Sequence, residues 1–225
     1  MTTSSSELLI LDAWQANADA WERAVRDGSI ESRKLITDRA IVEAILARAP
    51  RRVIDVGCGE GWLARRLASE GIEVIGVDVV PALVEAARSQ GGGSFQVMSY
   101  AEIAAGALRE RADVVVCNFS LLGESSVDHL LAAMPGLLEP GGVLLVQTLH
   151  PLVAAPTEPY RDGWREGSWV GCGEGFSQPA PWYFRTLGRW LEAFRAAGLQ
   201  LIQVVEPLHP HTGRPASVIF LLGAS

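Results

Sequence analysis

Lysine and cysteine are scarce in this sequence, and it holds neither a basic cluster nor a long apolar run. Lys34 is the lone lysine among 19 basic residues, and 26 acidic residues outnumber them to leave a formal net charge of −7. No basic run exceeds a pair such as Arg51–Arg52 or Arg65–Arg66. Proteins that grip a phosphate backbone cluster their positive charge, so a nucleic acid is not the expected partner. Cys58, Cys117 and Cys172 are odd in number, widely spaced and without a CxxC pair, which fits free thiols in a reducing cytoplasm. No apolar stretch approaches the ~18–20 residues of a membrane span, and no membrane partner is expected. The opening MTTSSSELLILDAW has no basic region and an apolar run of only four residues, Leu8 to Leu11, so it does not read as a signal peptide.

What is present is apolar bulk. Hydrophobic residues make up 48% and charged residues 20%, a balance that excludes a disordered chain. A chain of 225 residues buries enough surface to fold without a disulfide or metal staple. Residues 1–50 read as helical, with Trp14 and Trp21 sharing a face expected to pack these helices on a sheet, a break at Asp27-Gly28-Ser29, and a stop at Pro50. Strand-like runs then alternate with helical ones: Val53–Val56, Trp62–Ala68, Ile72–Val77, Pro81–Ser89, Val97, Asp113–Cys117, Val127–Leu138 and Val143–Thr148. This rhythm predicts βαβ units and a parallel sheet covered on both faces. Residues 151–186 break it with five prolines, many glycines and Trp164, Trp169 and Trp182. So long a stretch without periodicity is expected to be a lid or an embellishment. A helix resumes from Leu187, ends at Gly198, and two strands, Leu199–Val205 and Ser217–Leu222, close the chain. The expected organisation is a helical cap over 1–50 and one α/β domain over 51–225, with 151–186 as its insertion.

The most informative stretch is Val53-Ile-Asp-Val-Gly-Cys-Gly-Glu-Gly-Trp62, a strand running through a tight glycine turn into a helix. Such a turn lets a ligand approach the backbone. The dinucleotide pattern GxGxxG would need a third glycine where Trp62 stands. The pattern present is Asp55-x-Gly57-x-Gly59-x-Gly61, and an acid at Asp55 repels a pyrophosphate but suits a cationic amino group. Asp78, 21 residues after Gly57 at the end of the next strand, can accept from both hydroxyls of a ribose. Together these point to a nucleoside that bears an amino acid.

On these residues the sequence resembles the class I S-adenosylmethionine-dependent methyltransferases of small-molecule type. VIDVGCGEGWLARRLA, VIGVDVVPALVEAAR, ADVVVCNFSLL and LLEPGGVLLVQTLHP are similar to four of that family's motifs, in order. The resemblance implies a Rossmann-like, doubly wound, mostly parallel seven-stranded sheet with an antiparallel C-terminal hairpin and a helical N-terminal cap. It implies S-adenosylmethionine as cofactor and S-adenosylhomocysteine as product. It also implies contacts from Asp55, Gly57, Cys58, Gly59 and Trp62 around the methionine part, Asp78 on the ribose, and Val79, Tyr100 and Ala101 around the adenine. Asn118 and Phe119 would lie beside the transferred methyl. Tyr100 departs from the family, which often places an acid there.

Methyl transfer from a sulfonium needs alignment more than a fixed set of catalytic groups. The acceptor side must therefore come from the loops beyond the strand ends, where Trp62, Trp182, Tyr183, Arg185 and His209 are candidates. His150, directly after the fifth strand, is the candidate base, with a cap over the next turn as the alternative. Arg185 either binds an anionic acceptor or pairs with one of the protein's acids. His209 and His211, without a nearby carboxylate or thiol, do not make a metal site. The expected acceptor is a small molecule, at oxygen or nitrogen rather than carbon. A non-catalytic cofactor-binding regulator and an NAD-dependent oxidoreductase are the competing readings, the latter disfavoured by Trp62 and Asp55. The oligomeric state is left open.

Overall fold

The computed structural model describes residues 5–154 and 158–224. Short β-branched runs set its layout. Strands β1 (Arg52–Val56), β2 (Glu73–Asp78), β4 (Ala112–Asn118) and β5 (Leu138–Thr148) carry valine, isoleucine and leucine on both faces, and these are sealed. With β3 (Ser94–Val97), β8 (Leu199–Val205) and β9 (Val218–Ala224) they form a seven-stranded sheet in the order β3-β2-β1-β4-β5-β9-β8. The first five are parallel, and β9 pairs antiparallel with both β5 and β8. The chain moves outward from β1 to β3 and then returns to β4 on the other side of β1. That reversal opens a crevice between the ends of β1 and β4, where ligands bind in open α/β sheets.

Helices cover both faces. On one lie α3 (Asp38–Leu46), α4 (Trp62–Ala68) and α5 (Pro81–Gln90), whose Ile41, Ile45, Leu63, Leu67 and Val84 meet Val53, Val114, Val116 and Leu145. On the other lie α6 (Tyr100–Ala104), α7 (Ser125–Leu137) and α9 (Leu187–Ala196), contributing Ile103, Leu130, Leu131, Trp190 and Phe194. The fold is the expected one, with four local differences. α6 was not anticipated, although Ser99 and Glu102 form a reciprocal capping box at its start. α7 ends at Leu137 because Leu138 already pairs with Ala112, so helix passes into strand without a loop. A π-helical turn, Arg33–Thr37, interrupts the N-terminal helices. The 151–186 segment holds a short helix α8 (Pro151–Ala154) and a two-stranded hairpin, β6 (Gly163–Arg165) with β7 (Trp182–Phe184).

The helices α1 (Ser5–Ala16) and α2 (Ala18–Arg26) are held by polar locks rather than by sheet packing. Ala18 of α2 packs against Val80 and Leu83 at the start of α5 with Trp14 and Trp21 beside them, and both tryptophans line the crevice rather than packing on the sheet. Asn17, buried between the two helices, accepts the Ser177 N–H at 2.6 Å and donates to the Ser177 carbonyl at 3.1 Å. This joins the cap to the 151–186 segment. Glu7 of α1 is 5% exposed and sits at the start of α7. It accepts the backbone N–H groups of Ser126 at 2.9 Å and Glu124 at 3.0 Å, and the Ser125 hydroxyl. A free helix N-terminus has unpaired N–H groups, and here another element supplies the acceptor. Burial opposes ionisation of Glu7, but these donors outweigh it and hold the carboxyl below its ordinary value.

Glu7→Ala is expected to lower stability by about 1–3 kcal/mol, because buried N–H groups lose a charged acceptor. A folded-state pKa below the unfolded one means that this stability is full above the unfolded pKa and is lost as pH falls through the folded one. Urea titrations of both proteins at pH 7 and pH 4 measure this, with a smaller difference at pH 4.

Candidate active site

The glycine turn after β1 is tight because a side chain of a neighbouring strand end already fills the space beside it. Gly57 has φ +79°, and a Cβ there would lie 2.3 Å from the Ser120 Cβ. Ser120 is fixed in turn by donating to the Val56 carbonyl at 2.7 Å. The far wall of the turn is Asp78: one carboxylate oxygen accepts the Gly59 N–H and the other the Val80 N–H, each at 2.9 Å. Burial keeps the Asp78 carboxyl above its ordinary range, and the N–H groups of Val80, Gly59 and Val79 offset part of that.

The opposite lip comes from the end of β4. Phe119 adopts a left-handed backbone, φ +53°, which costs a non-glycine residue about 1 kcal/mol or more and is characteristic of functional sites. The turn is held by the Phe119 N–H donating to the Gln147 carbonyl at 2.8 Å. Asn118 accepts from the Gln147 amide at 2.9 Å, so its oxygen is oriented before any ligand arrives. The Tyr100 hydroxyl donates to the Ser120 carbonyl at 2.8 Å, and burial holds it far above its ordinary pKa. Tyr100 is thus a wall and a brace; its hydroxyl proton is committed.

Two cavities meet at this crevice. The smaller, about 220 Å³, is lined by Asp78, Val79, Tyr100, Ala101, Phe119 and the α1 residues Ile10 and Leu11. The larger, about 570 Å³, is lined by Asp55, Cys58, Trp62, Trp169, Trp182 and Tyr183, among others. Gly57, Gly59, Asn118, Phe119, Trp14 and Trp21 line both, so the two form one crevice with a waist at the glycine turn.

Three charged groups in the larger compartment are incompletely paired among the described residues: Asp55, Arg33 and, at its buried Nε, Arg185. Asp55 is 2% exposed, and among the described residues no donor reaches its carboxylate. Burial, reinforced by the charge of Asp78, pushes its pKa up to about 7. Arg33, on the π-helical turn, uses its Nε on Asp38 at 3.0 Å and lies 4.8 Å from the centre of the Trp62 ring and 5.7 Å from that of Trp21. Its Nη1 is buried with no acceptor among the described residues, and so is the Thr37 hydroxyl one turn on. Sequence reasoning missed Arg33, Thr37, Trp14 and Trp21 as cavity residues. A π-turn has no short sequence signature, so nothing local marked which side of the helix Arg33 would take.

Three other expected site residues are placed differently. His150 is fully buried but does not line either cavity. Its Nδ1 accepts the Leu152 N–H at 3.2 Å, which leaves the proton on Nε2, 2.6 Å from Glu206. With both nitrogens committed it ties β5 to the end of β8 and caps the next turn, and has no lone pair to act as a base. Arg185 lines the larger cavity, yet its guanidinium donates to the carbonyls of Gly123 at 2.7 Å and Glu124 at 2.8 Å and faces Asp128 at 3.4 Å. It braces the α7 end, the structural alternative of the two. His209 lies in the β8–β9 loop, outside both cavities, with its Nδ1 accepting from the His211 N–H. Among the described residues no group of three His, Cys, Asp or Glu side chains gathers around a point, and no helix is long and apolar enough to cross a membrane.

A family model described as a methyltransferase domain matches residues 31–204, from just before the π-turn to the edge strand β8. The chain belongs to the class I S-adenosylmethionine-dependent methyltransferases. An uncharacterised methyltransferase of Mycobacterium tuberculosis is 30% identical over 153 residues, covering 67% of this chain and 75% of that one. A ubiquinone biosynthesis O-methyltransferase of Xanthomonas oryzae is 36% identical over 119 residues, and there the match spans about half of each protein, 51% and 49%. Among solved structures, magnesium protoporphyrin IX methyltransferase of Synechocystis, with bound S-adenosylhomocysteine, shares the fold at TM-score 0.68 and 17% identity, over 98% of this chain and 100% of that one.

The methyltransferase's crevice fits its cofactor on its own terms. Gly57 and Gly59 line both compartments without side chains, and a buried carboxylate and an unpaired guanidinium nitrogen suit the ammonium and carboxylate of an amino acid. A carboxyl with a raised folded pKa carries its penalty above about pH 7, and loses it as pH falls towards the unfolded value. Asp55→Asn is therefore expected to raise the Tm of the ligand-free methyltransferase by about 5 °C at pH 8 and by about half as much at pH 5.5, while weakening cofactor binding. Thermal scans at both pH values, with and without S-adenosylhomocysteine, measure this.

Proposed function

We propose that the smaller compartment takes the adenosine half of S-adenosylmethionine and that the larger takes the methionine end together with a small-molecule acceptor. The observation that carries this is the pair Asp55, buried, and Arg33, whose Nη1 is buried without an acceptor, two groups of opposite charge lining the larger compartment. In this reading Asp78 accepts from the ribose, Val79, Tyr100, Ala101 and Phe119 enclose the adenine, and Gly57, Cys58 and Gly59 present backbone to the methionine chain. Asn118 lies beside the sulfur, and Trp62, Trp182 and Tyr183 face the acceptor. The cofactor supplies an electrophilic methyl on a positively charged sulfur. The protein's part is to fix the distance and line of approach and to exclude water from the waist.

The acceptor atom in this reading is oxygen or nitrogen. A net charge of −7 without a basic cluster supports a small molecule over a nucleic acid. We assign residues 1–50 to a cap, 51–225 to the catalytic domain and 151–186 to an acceptor-side insertion. The three cysteines, none in a disulfide, support a cytoplasmic setting.

Titration calorimetry with S-adenosylmethionine, S-adenosylhomocysteine and NAD tests the reading. Binding of the first two and not of NAD is expected; the reverse overturns it. Asp78→Ala is expected to weaken S-adenosylhomocysteine by about 1–3 kcal/mol, since charge-assisted hydrogen bonds are lost. An unchanged dissociation constant removes Asp78 from the ribose.

A further inference from the structure

We propose that the acceptor is a flat aromatic molecule that presents its nucleophilic oxygen already as an anion at neutral pH, an arenecarboxylate or an acidic phenolate. The proposal rests on the cofactor reading above and concerns the rest of the larger compartment.

The walls are aromatic and their geometry suits a flat guest. Trp14 meets Trp21 edge to face at 5.0 Å and Trp169 at 5.3 Å, and Trp182 meets Phe184 at 5.8 Å. With Trp62 and Tyr183 these side chains make the lining of the compartment largely aromatic, and a flat apolar guest packs against such walls. The cations nearby are Arg33, over Trp21 and Trp62, and Arg185, 5.0 Å from the centre of the Tyr183 ring.

With Asp55 taken by the cofactor's ammonium in the reading above, this compartment offers no other base. Its titratable side chains, among the described residues, are Glu31, Arg33, Asp55, Cys58, Cys172, Tyr183 and Arg185. Asp55 is committed to the cofactor's ammonium, and Glu31 is exposed at the mouth. Cys58, Cys172 and Tyr183 all hold their protons more tightly than usual, and burial is the main cause at each. The charge of Asp55 adds to it at Cys58 and a hydrogen bond to Glu124 adds to it at Tyr183, while Arg33 only partly opposes it at Cys172. His150 is committed to Glu206 and to the Leu152 N–H. Residues 1–4, 155–157 and 225 contain no His, Cys, Tyr, Asp, Glu, Lys or Arg in the sequence. A neutral hydroxyl would have no group to take its proton, and neither would a protonated amine, whose lone pair is blocked until that proton leaves.

An oxyanion needs neither. Its electron pair forms the new O–CH₃ bond as the C–S bond breaks, and the pair from that bond stays on sulfur, which becomes a neutral thioether. No proton is released. The negative and positive charges cancel along the way, so a water-poor aromatic cavity favours the products over the separated ions.

The test is calorimetry on the wild-type protein saturated with S-adenosylhomocysteine, using benzoate, 4-nitrophenol, phenol and aniline as probes at pH 5.5 and pH 8.5. The expected result is that benzoate binds at both pH values and that 4-nitrophenol tightens about tenfold as it ionises, with phenol and aniline weaker than either. Trp182→Ala is expected to weaken the two anions and leave S-adenosylhomocysteine binding unchanged. In turnover with S-adenosylmethionine, the pH at half-maximal rate is expected to track the acidity of each phenol offered. Tighter binding of phenol or aniline, or no binding of any anion, overturns the proposal. So does one unchanging pH midpoint for phenols of different acidity, which would expose a base on the protein. Failure to bind S-adenosylhomocysteine at all overturns the cofactor reading and this proposal with it.

Discussion

The two hydrogen bonds that Asp78 accepts from Gly59 and Val80 anchor the working part of the molecule. They tie the end of β2 to the turn after β1, and the turn in turn rests on Ser120 at the end of β4. Three parallel strands are thereby fixed to one another at their C-terminal ends, where the sheet reverses direction. Gly57 is the point of least freedom, since its floor is filled by the Ser120 side chain and its backbone is left-handed. The waist between the two compartments results from this arrangement: Gly57 and Gly59 form one side, and Asn118 and Phe119 the other.

Charge is buried here at a cost, and the cost is distributed in an informative way. Glu7, at the start of α7, is compensated by backbone donors and stabilises the cap in which it sits. Asp55 has no such compensation, and its carboxyl is raised to about 7 by burial. A folded protein does not leave a carboxylate in that condition without reason, because burial of an uncompensated charge is among the largest single penalties in folding. The contrast between these two acids separates a compensated buried carboxylate from an uncompensated one more clearly than burial alone.

Much of this was legible in the chain. Local repetition marked the alternation of apolar runs and amphipathic segments, and the glycine turn with Asp55 and Asp78 marked the cofactor side, because these signals lie within short windows. α6 was legible too, in the spacing of Ser99 and Glu102, but a helix of five residues leaves little periodicity. The acceptor side was legible only as a set of residue types. Arg185 reads the same on the chain whether it faces a ligand or the carbonyls of Gly123 and Glu124, and those carbonyls lie some sixty positions away. His150 likewise meets Glu206 only because the hairpin of β8 and β9 folds back beside β5.

The sequence by itself determined the alternation of strands and helices, the glycine turn and the sign of the charge beside it, since each depends on neighbours within a few residues or on a motif of fixed length. The tertiary structure decided which polar groups remain unpaired. Arg33 and Thr37 stand out only once the donors and acceptors around them have been traced, and Asp55 only once its burial is known. That assignment runs across the cap, the 151–186 segment and both sides of the sheet. A residue's availability for chemistry is a property of everything packed around it, and so it cannot be read from the residue or its sequence neighbours.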